Sequence, residues 1–141
     1  MSPLRPWMKS LLYFAGAYNV LAGLGMICLY HEGLKLFGLP KPELILTIQL
    51  VGLFVLLFGV GYVLVARHPE ENRNVLLLGF LSKLLGPAFG LAYVAKGGLP
   101  PVFVPLLLVS DIGYLPPFFV ILRRLNTLSK NSAQTGIPSE T

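Results

Sequence analysis

Long apolar stretches alternate with short polar ones along the whole chain. Four stretches stand out, at about residues 7–30, 44–66, 75–95 and 102–122. Each is close to the ~20 residues that carry a helix across ~30 Å of hydrocarbon at ~1.5 Å per residue. Backbone in lipid has to bond to itself, as helix or as closed barrel. The alternating segments of about ten residues that a barrel needs are missing from the pattern. The pattern predicts an all-α polytopic membrane protein, an up-down-up-down four-helix transmembrane bundle over residues 1–125.

The connections fit that layout. Residues 31–43 (HEGLKLFGLPKPE) link the first two spans. Leu34, Leu36, Phe37 and Leu39 make part of this link a piece lying in the membrane interface, ended by Pro40 and Pro42. Residues 67–74 (RHPEENRN) form a polar turn and 96–101 (KGGLPP) a tight one. Residues 126–141 are polar and are expected to be a disordered cytoplasmic tail. Ala15-Gly16-Ala17 mimics a signal-peptidase site. The apolar run before it, Leu11 to Phe14, is shorter than the ~7–15 residues a signal peptide uses, so the first span reads as a retained helix.

Composition agrees: 55% of residues are hydrophobic, 12% are charged, and the mean hydropathy is +0.73. A soluble domain carries roughly 25% charge, so neither that class nor a disordered chain fits. A net charge of +5 and a pI near 9.6 would raise nucleic-acid binding in a soluble protein. Here the basic residues cap spans, and no nucleic-acid partner is expected. Arg5, Lys9, Arg67, Arg73, Arg123, Arg124 and Lys130 fall on one side and Lys35, Lys41 and Lys96 on the other. The positive-inside rule then places both termini in the cytoplasm, in a multi-pass protein of the cell membrane. Trp7, Tyr30 and Tyr93 near span ends suit an aromatic belt. Cys28 is the single cysteine, which excludes intrachain disulfides and CxxC chemistry; it reads as a packing residue.

Away from the segment ends, the apolar segments hold one basic and one acidic residue, Lys83 and Asp111. Each costs at least ~2.5–3.5 kcal/mol to place in hydrocarbon and so requires a partner, water or neutralisation. Both lie near the midpoints of their spans, which run antiparallel, with an axial offset of ~4.5 Å. A lysine side chain covers that distance, and a Lys83–Asp111 pair between the third and fourth spans is expected. It serves either to fix helix register or to handle a ligand, ion or proton.

Glycines accompany this polar centre. Gly79, Lys83, Gly86 and Gly90 share one face of the third span; Gly16, Asn19 and Gly23 do so in the first, and Gln49, Gly52 and Gly59 in the second. Small residues let membrane helices approach closely, and Asn or Gln bonds across them. Gly25, Gly52, Gly59 and Gly61 also offer a surface for packing between protomers. Pro87 frees the Lys83 carbonyl, while Pro105, Pro116 and Pro117 interrupt the fourth span; Ser82, Ser110 and Tyr114 are candidates to satisfy freed carbonyls. Broken helices beside intramembrane charges are also how transport sites are built. The candidate ligand-binding set is Lys83, Asp111 and Asn19, with Tyr114, Tyr18 and Gln49 around them.

No phosphate-binding loop, nucleophile elbow, zinc-protease motif or dinucleotide fingerprint is present. His31 and Glu32 read as an exposed interfacial pair. No catalytic residue, metal ligand or cofactor is assigned.

The segments AYNVLAGLGM, LFGLP, GVGYVLVARHP and LLGFLSKLLGP together resemble the DoxX-like group of small bacterial inner-membrane proteins over about residues 10–125. The resemblance implies a four-helix bundle in the bacterial inner membrane, in a group some of whose members work with respiratory or redox partners. It supplies no catalytic set to carry over. Three readings stay open. The chain binds or conducts a small molecule, lipid, ion or proton; it is a non-catalytic subunit that packs with itself or with a membrane complex; or it is an enzyme on a lipid or quinone, with Asp111 as acid/base tuned by Lys83.

Overall fold

A computed structural model of the chain describes residues 3–136. It is all-helical among these residues. Helix α1 spans Pro6–Cys28, α2 Tyr30–Leu36, α3 Ile45–Arg67, α4 Arg73–Ala95, α5 Phe103–Ser110 and α6 Leu115–Thr135, with a 3-10 turn at Ile112–Tyr114 between the last two. Four stretches are long and apolar enough to cross a membrane: α1, α3, α4 and the run from Phe103 to Gln134. At 23 residues each, α1, α3 and α4 are about 35 Å long. The short α2 carries no buried residue and occupies the expected interfacial piece.

Local chemistry sets the ends. Pro6 opens α1 where its missing N–H costs nothing. Helix α4 stops at Gly97, whose φ of 79° turns the chain left-handed. The Gly98 amide reaches the Tyr93 carbonyl and the Gly97 amide that of Val94, a paired closure that glycine makes at little cost. Gly38, with φ of 66°, ends α2 in the same way.

The fourth span differs from a single kinked helix. Pro105 lies in the first turn of α5, and Pro116 and Pro117 in the first turn of α6, where the lost N–H groups have no partner to lose. The prolines therefore start helices, and the interruption falls at Asp111, between them. Helix α6 then continues through Thr135, so residues 126–135 are helical rather than irregular. Leu125 is buried, which fixes the helix at the point where the polar sequence starts, and each further residue adds a hydrogen bond at little ordering cost. Residues 137–141 of the expected tail lie outside the described residues. Cys28, expected to be packed, is exposed at the end of α1.

Helices α1 and α3 lie along each other, glycine against backbone. A Cβ added at Gly59 would meet the Gly16 carbonyl at 2.7 Å, and one at Gly23 would meet the Gly52 carbonyl at 2.5 Å. Gly61 faces Val75 of α4, and Gly79 faces the ring of Tyr62. Gly52, Gly59 and Gly61 are thus used inside the bundle, contrary to a role between protomers, while Gly25 has open space around it. Gly86 also faces nothing, away from the centre its spacing suggests. Its use is local: it precedes Pro87, whose ring crowds a preceding Cβ in helical backbone.

The core occupies one end of the bundle. Leu4, Met8, Leu12 and Ala15 of the N-terminal arm and α1, Tyr62, Val65 and Ala66 of α3, Leu76 of α4, and Tyr114, Phe118, Ile121, Leu122 and Leu125 make a single cluster. All of these lie in the half that holds the chain ends and the 68–72 turn, the terminal half. Tyr62 and Phe118 meet edge to face at 5.0 Å between centroids. The Arg124 guanidinium Nε donates to the Pro3 carbonyl and ties the start of the chain to α6. In the other, distal half the residues buried are Gly23, Gly52 and Pro87, and α5 has none. There, α5 lies on α4, and its first residue, Phe103, stacks on Phe37 at 5.1 Å.

Candidate functional site

Lys83 and Asp111 meet where the packed half ends. The Lys83 Nζ donates to Asp111 Oδ1 at 3.1 Å and to the Ser110 carbonyl at 3.0 Å. The break in the fourth span makes the second bond available. In an unbroken α-helix the Tyr114 amide would use the Ser110 carbonyl; here it donates to that of Asp111, one residue nearer. Lys83 thereby caps a helix end as well as pairing with an acid. Its ammonium also stands 4.8 Å from the centroid of Tyr114 and 6.0 Å from that of Tyr62, within the range where an aromatic face attracts a cation. The ammonium thus has two oxygen partners and an aromatic face beside it.

The two partners are unequally covered. The side chain of Lys83 is 5% exposed and that of Asp111 29%. Oδ2 of Asp111 takes no hydrogen bond from any described residue. Tyr18 of α1 brings its ring to 6.3 Å from that of Tyr114. Ser110 directs its hydroxyl to the Leu106 carbonyl at 2.7 Å, a local bond inside α5.

Asn19 is 7% exposed, and its amide makes no hydrogen bond to any described residue. Its direction follows from spacing: Met8, Leu12, Ala15 and Asn19 form one stripe of α1, and the first three belong to the core. Asn19 therefore points inward one turn beyond Ala15, at the upper edge of the packed half. Gln49 stands elsewhere. Its Nε2 donates to the Ile27 carbonyl at 3.2 Å, joining the distal ends of α1 and α3. It lies more than three helical turns from Tyr62 along α3 and serves as packing glue.

Of the candidate residues, the structure brings Lys83, Asp111, Tyr114 and Tyr18 into one cluster, buries Asn19 on the inward face and removes Gln49. Ser82 is exposed and takes no part. Tyr62 was not among the expected residues; in sequence it is one aromatic in an apolar run. The signal that could have found it is Gly79, since a glycine in the opposite span makes room for a large ring. No group of three or more His, Cys, Asp or Glu side chains able to hold a metal ion occurs among the described residues.

Compared with known proteins, the chain matches no family model, no curated protein and no solved structure.

Proposed function

We propose that this chain is a multi-pass protein of the bacterial inner membrane, both termini cytoplasmic, that binds or conducts a small molecule, ion or proton at the Lys83–Asp111 centre. The observation that carries the reading is the ion pair itself, 3.1 Å long and set at the break in the fourth span. An intact apolar helix would be cheaper than a charged pair and a broken ladder at mid-membrane. The partly open carboxylate supports the same reading, since its free oxygen can accept a proton or a donor from a ligand. The expected kinship with DoxX-like proteins is proposed on the same footing.

The test compares wild type with Lys83→Met/Asp111→Asn, which removes the pair and keeps the net charge. Small molecules released from the purified protein are identified by mass spectrometry. Proton and ion flux is followed in proteoliposomes holding a pH dye. A compound retained or a flux carried by wild type, and lost by a folded double variant, supports the reading. Equal retention and flux in both sinks it.

A second reading has its own support. The Lys83 ammonium is bonded to two oxygens of the protein itself, as a purely structural tie would be. On that reading the chain is a non-catalytic subunit of a membrane assembly, and it co-purifies with a partner while binding no small molecule.

A further inference from the structure

The terminal end of the bundle carries more positive charge than it balances. Glu70 and Glu71, in the 68–72 turn, are the acidic residues described at this end, and Arg67 and Arg73 flank them and match their charge. That leaves Arg5 and Lys9 at the start of α1, and Arg123 and Arg124 where the apolar part of the fourth span stops, with no acidic side chain set against them. The two pairs are far apart in sequence, and the fold brings them together. Leu4, Met8, Leu122 and Leu125 belong to one core cluster, and the Arg124 Nε donates to the Pro3 carbonyl, two residues before Arg5. Lys9 follows Arg5 by one helical turn on the same side of α1, its amide bonded to the Arg5 carbonyl.

These charges stay unpaired. The Lys83–Asp111 contact is the one ion pair among the described residues. Arg5 and Arg123 are exposed, and Lys9 and Arg124 half-buried. Arg124 uses its Nε on Pro3, and its two terminal amino groups have no described partner. Like charges gathered in this way repel one another, and an anion placed among them relieves the repulsion.

Depth selects the anion. Both pairs stand at the ends of apolar spans, on the same end of the bundle. Trp7, between Arg5 and Lys9, is 45% exposed, and such a ring settles at the level of the lipid headgroups. Lipid phosphates lie at that level, and a guanidinium grips a phosphate through parallel N–H bonds. A zwitterionic lipid brings its own ammonium to the cluster, whereas a lipid of net negative charge does not.

We infer that Arg5, Lys9, Arg123 and Arg124 form a seat for the headgroup of an anionic phospholipid in the leaflet at the terminal end. The seat is separate from the Lys83–Asp111 centre and does not depend on which way round the protein is inserted.

The full-length chain, purified in a non-ionic detergent, is incubated with an equimolar mixture of phosphatidylglycerol, phosphatidylethanolamine and phosphatidylcholine. Lipid retained after washing at about 50 mM and about 500 mM salt is quantified by mass spectrometry. A basic residue close to an anionic headgroup favours it by about fivefold. Wild type should therefore hold phosphatidylglycerol about tenfold over phosphatidylcholine at the lower salt and lose most of that preference at the higher. Arg5→Gln/Lys9→Gln/Arg123→Gln spares the Arg124–Pro3 tie and should reduce the preference to about twofold. Arg67→Gln/Arg73→Gln, which removes charge from the same end, should leave it unchanged. Equal retention of the three lipids, or a preference indifferent to salt, overturns the proposal without any variant. A preference kept by the folded triple variant, or lost to the same extent in the Arg67/Arg73 variant, overturns the assignment to this cluster. Inorganic phosphate and a hexaglutamate peptide are the competitors. Displacement of the lipid by either at the lipid's own concentration overturns the lipid reading in favour of a free phosphate or an acidic protein segment.

Discussion

The ammonium of Lys83 closes a gap in a neighbouring helix: it holds the Ser110 carbonyl at 3.0 Å while pairing with the carboxylate of the next residue, Asp111, at 3.1 Å. The lysine has two bonds to lose and the aspartate one. Lys83→Met is expected to destabilise the protein by about 3–5 kcal/mol, since it strands a carboxylate and a carbonyl in lipid. Asp111→Asn leaves the buried ammonium on the Ser110 carbonyl without its counter-charge, and should also cost about 3–5 kcal/mol. Unfolding of the purified protein in mixed micelles measures both. A loss below about 1 kcal/mol for either variant contradicts a buried pair that the fold depends on.

The same asymmetry sets the outcome of exchanging the charges. In Lys83→Asp/Asp111→Lys the carboxylate at 83 faces a carbonyl and cannot donate to it. The swapped protein should stay well below wild type in the same assay. Full recovery would mean that Coulomb attraction alone matters at this position.

Contact between α1 and α3 rests on backbone approach. Gly59→Ala puts a methyl 2.7 Å from the Gly16 carbonyl and 2.8 Å from the Val20 amide, neither of which moves easily. A loss of about 1–3 kcal/mol is expected. Gly25→Ala, with nothing within 4 Å, should be neutral or gain about 0.5–1 kcal/mol from helix propensity. Thermal midpoints of the two variants in one detergent decide the matter, and a stabilised Gly59→Ala would show that the helices are further apart.

The core's confinement to the terminal half gives a paired comparison. Tyr62→Ala removes a fully buried ring from between Phe118, Phe58 and Gly79 and should cost about 3–5 kcal/mol. Leu107→Ala, in the distal half, removes a side chain covered in part and should cost about 1 kcal/mol. Hydrogen exchange should likewise protect α6 around Phe118 more strongly than α5. Equal protection of the two helices would contradict a one-sided core.

Orientation is open to direct measurement. Cys28 is exposed at the distal end of α1. An impermeant maleimide should label it in intact cells, whereas Lys130→Cys in a Cys28→Ser background should react after permeabilisation alone. The opposite pattern would invert the topology that the basic residues imply.

The four spans are legible in the sequence because lipid leaves a chain of this polarity few alternatives. The Lys83–Asp111 pair is legible for a related reason: helical rise fixes depth, and a charge at that depth needs an opposite one. The position of the break is not. Four prolines mark spans three and four, yet Pro105, Pro116 and Pro117 sit in first turns and Pro87 lies within a continuous α4, so proline alone does not locate a break. Tyr62 is hidden because an aromatic in an apolar run reads the same whether it faces lipid or core. Gln49 is misleading because its glycine spacing resembles that of Asn19, and spacing fixes a helix face but not the height at which that face meets a partner. The helical continuation past Leu125 follows from tertiary anchoring of that leucine, which polarity at 126–135 does not report.

The interruption between Ser110 and Leu115 also divides the fourth span mechanically. Stress applied at Phe103 passes to Phe118 through a 3-10 turn and one lysine side chain instead of a continuous ladder of backbone bonds. Helix α5 and the aromatic cluster beneath it are therefore joined by a tighter turn in which the Ser110 carbonyl is held by a side chain and not by the helix that follows.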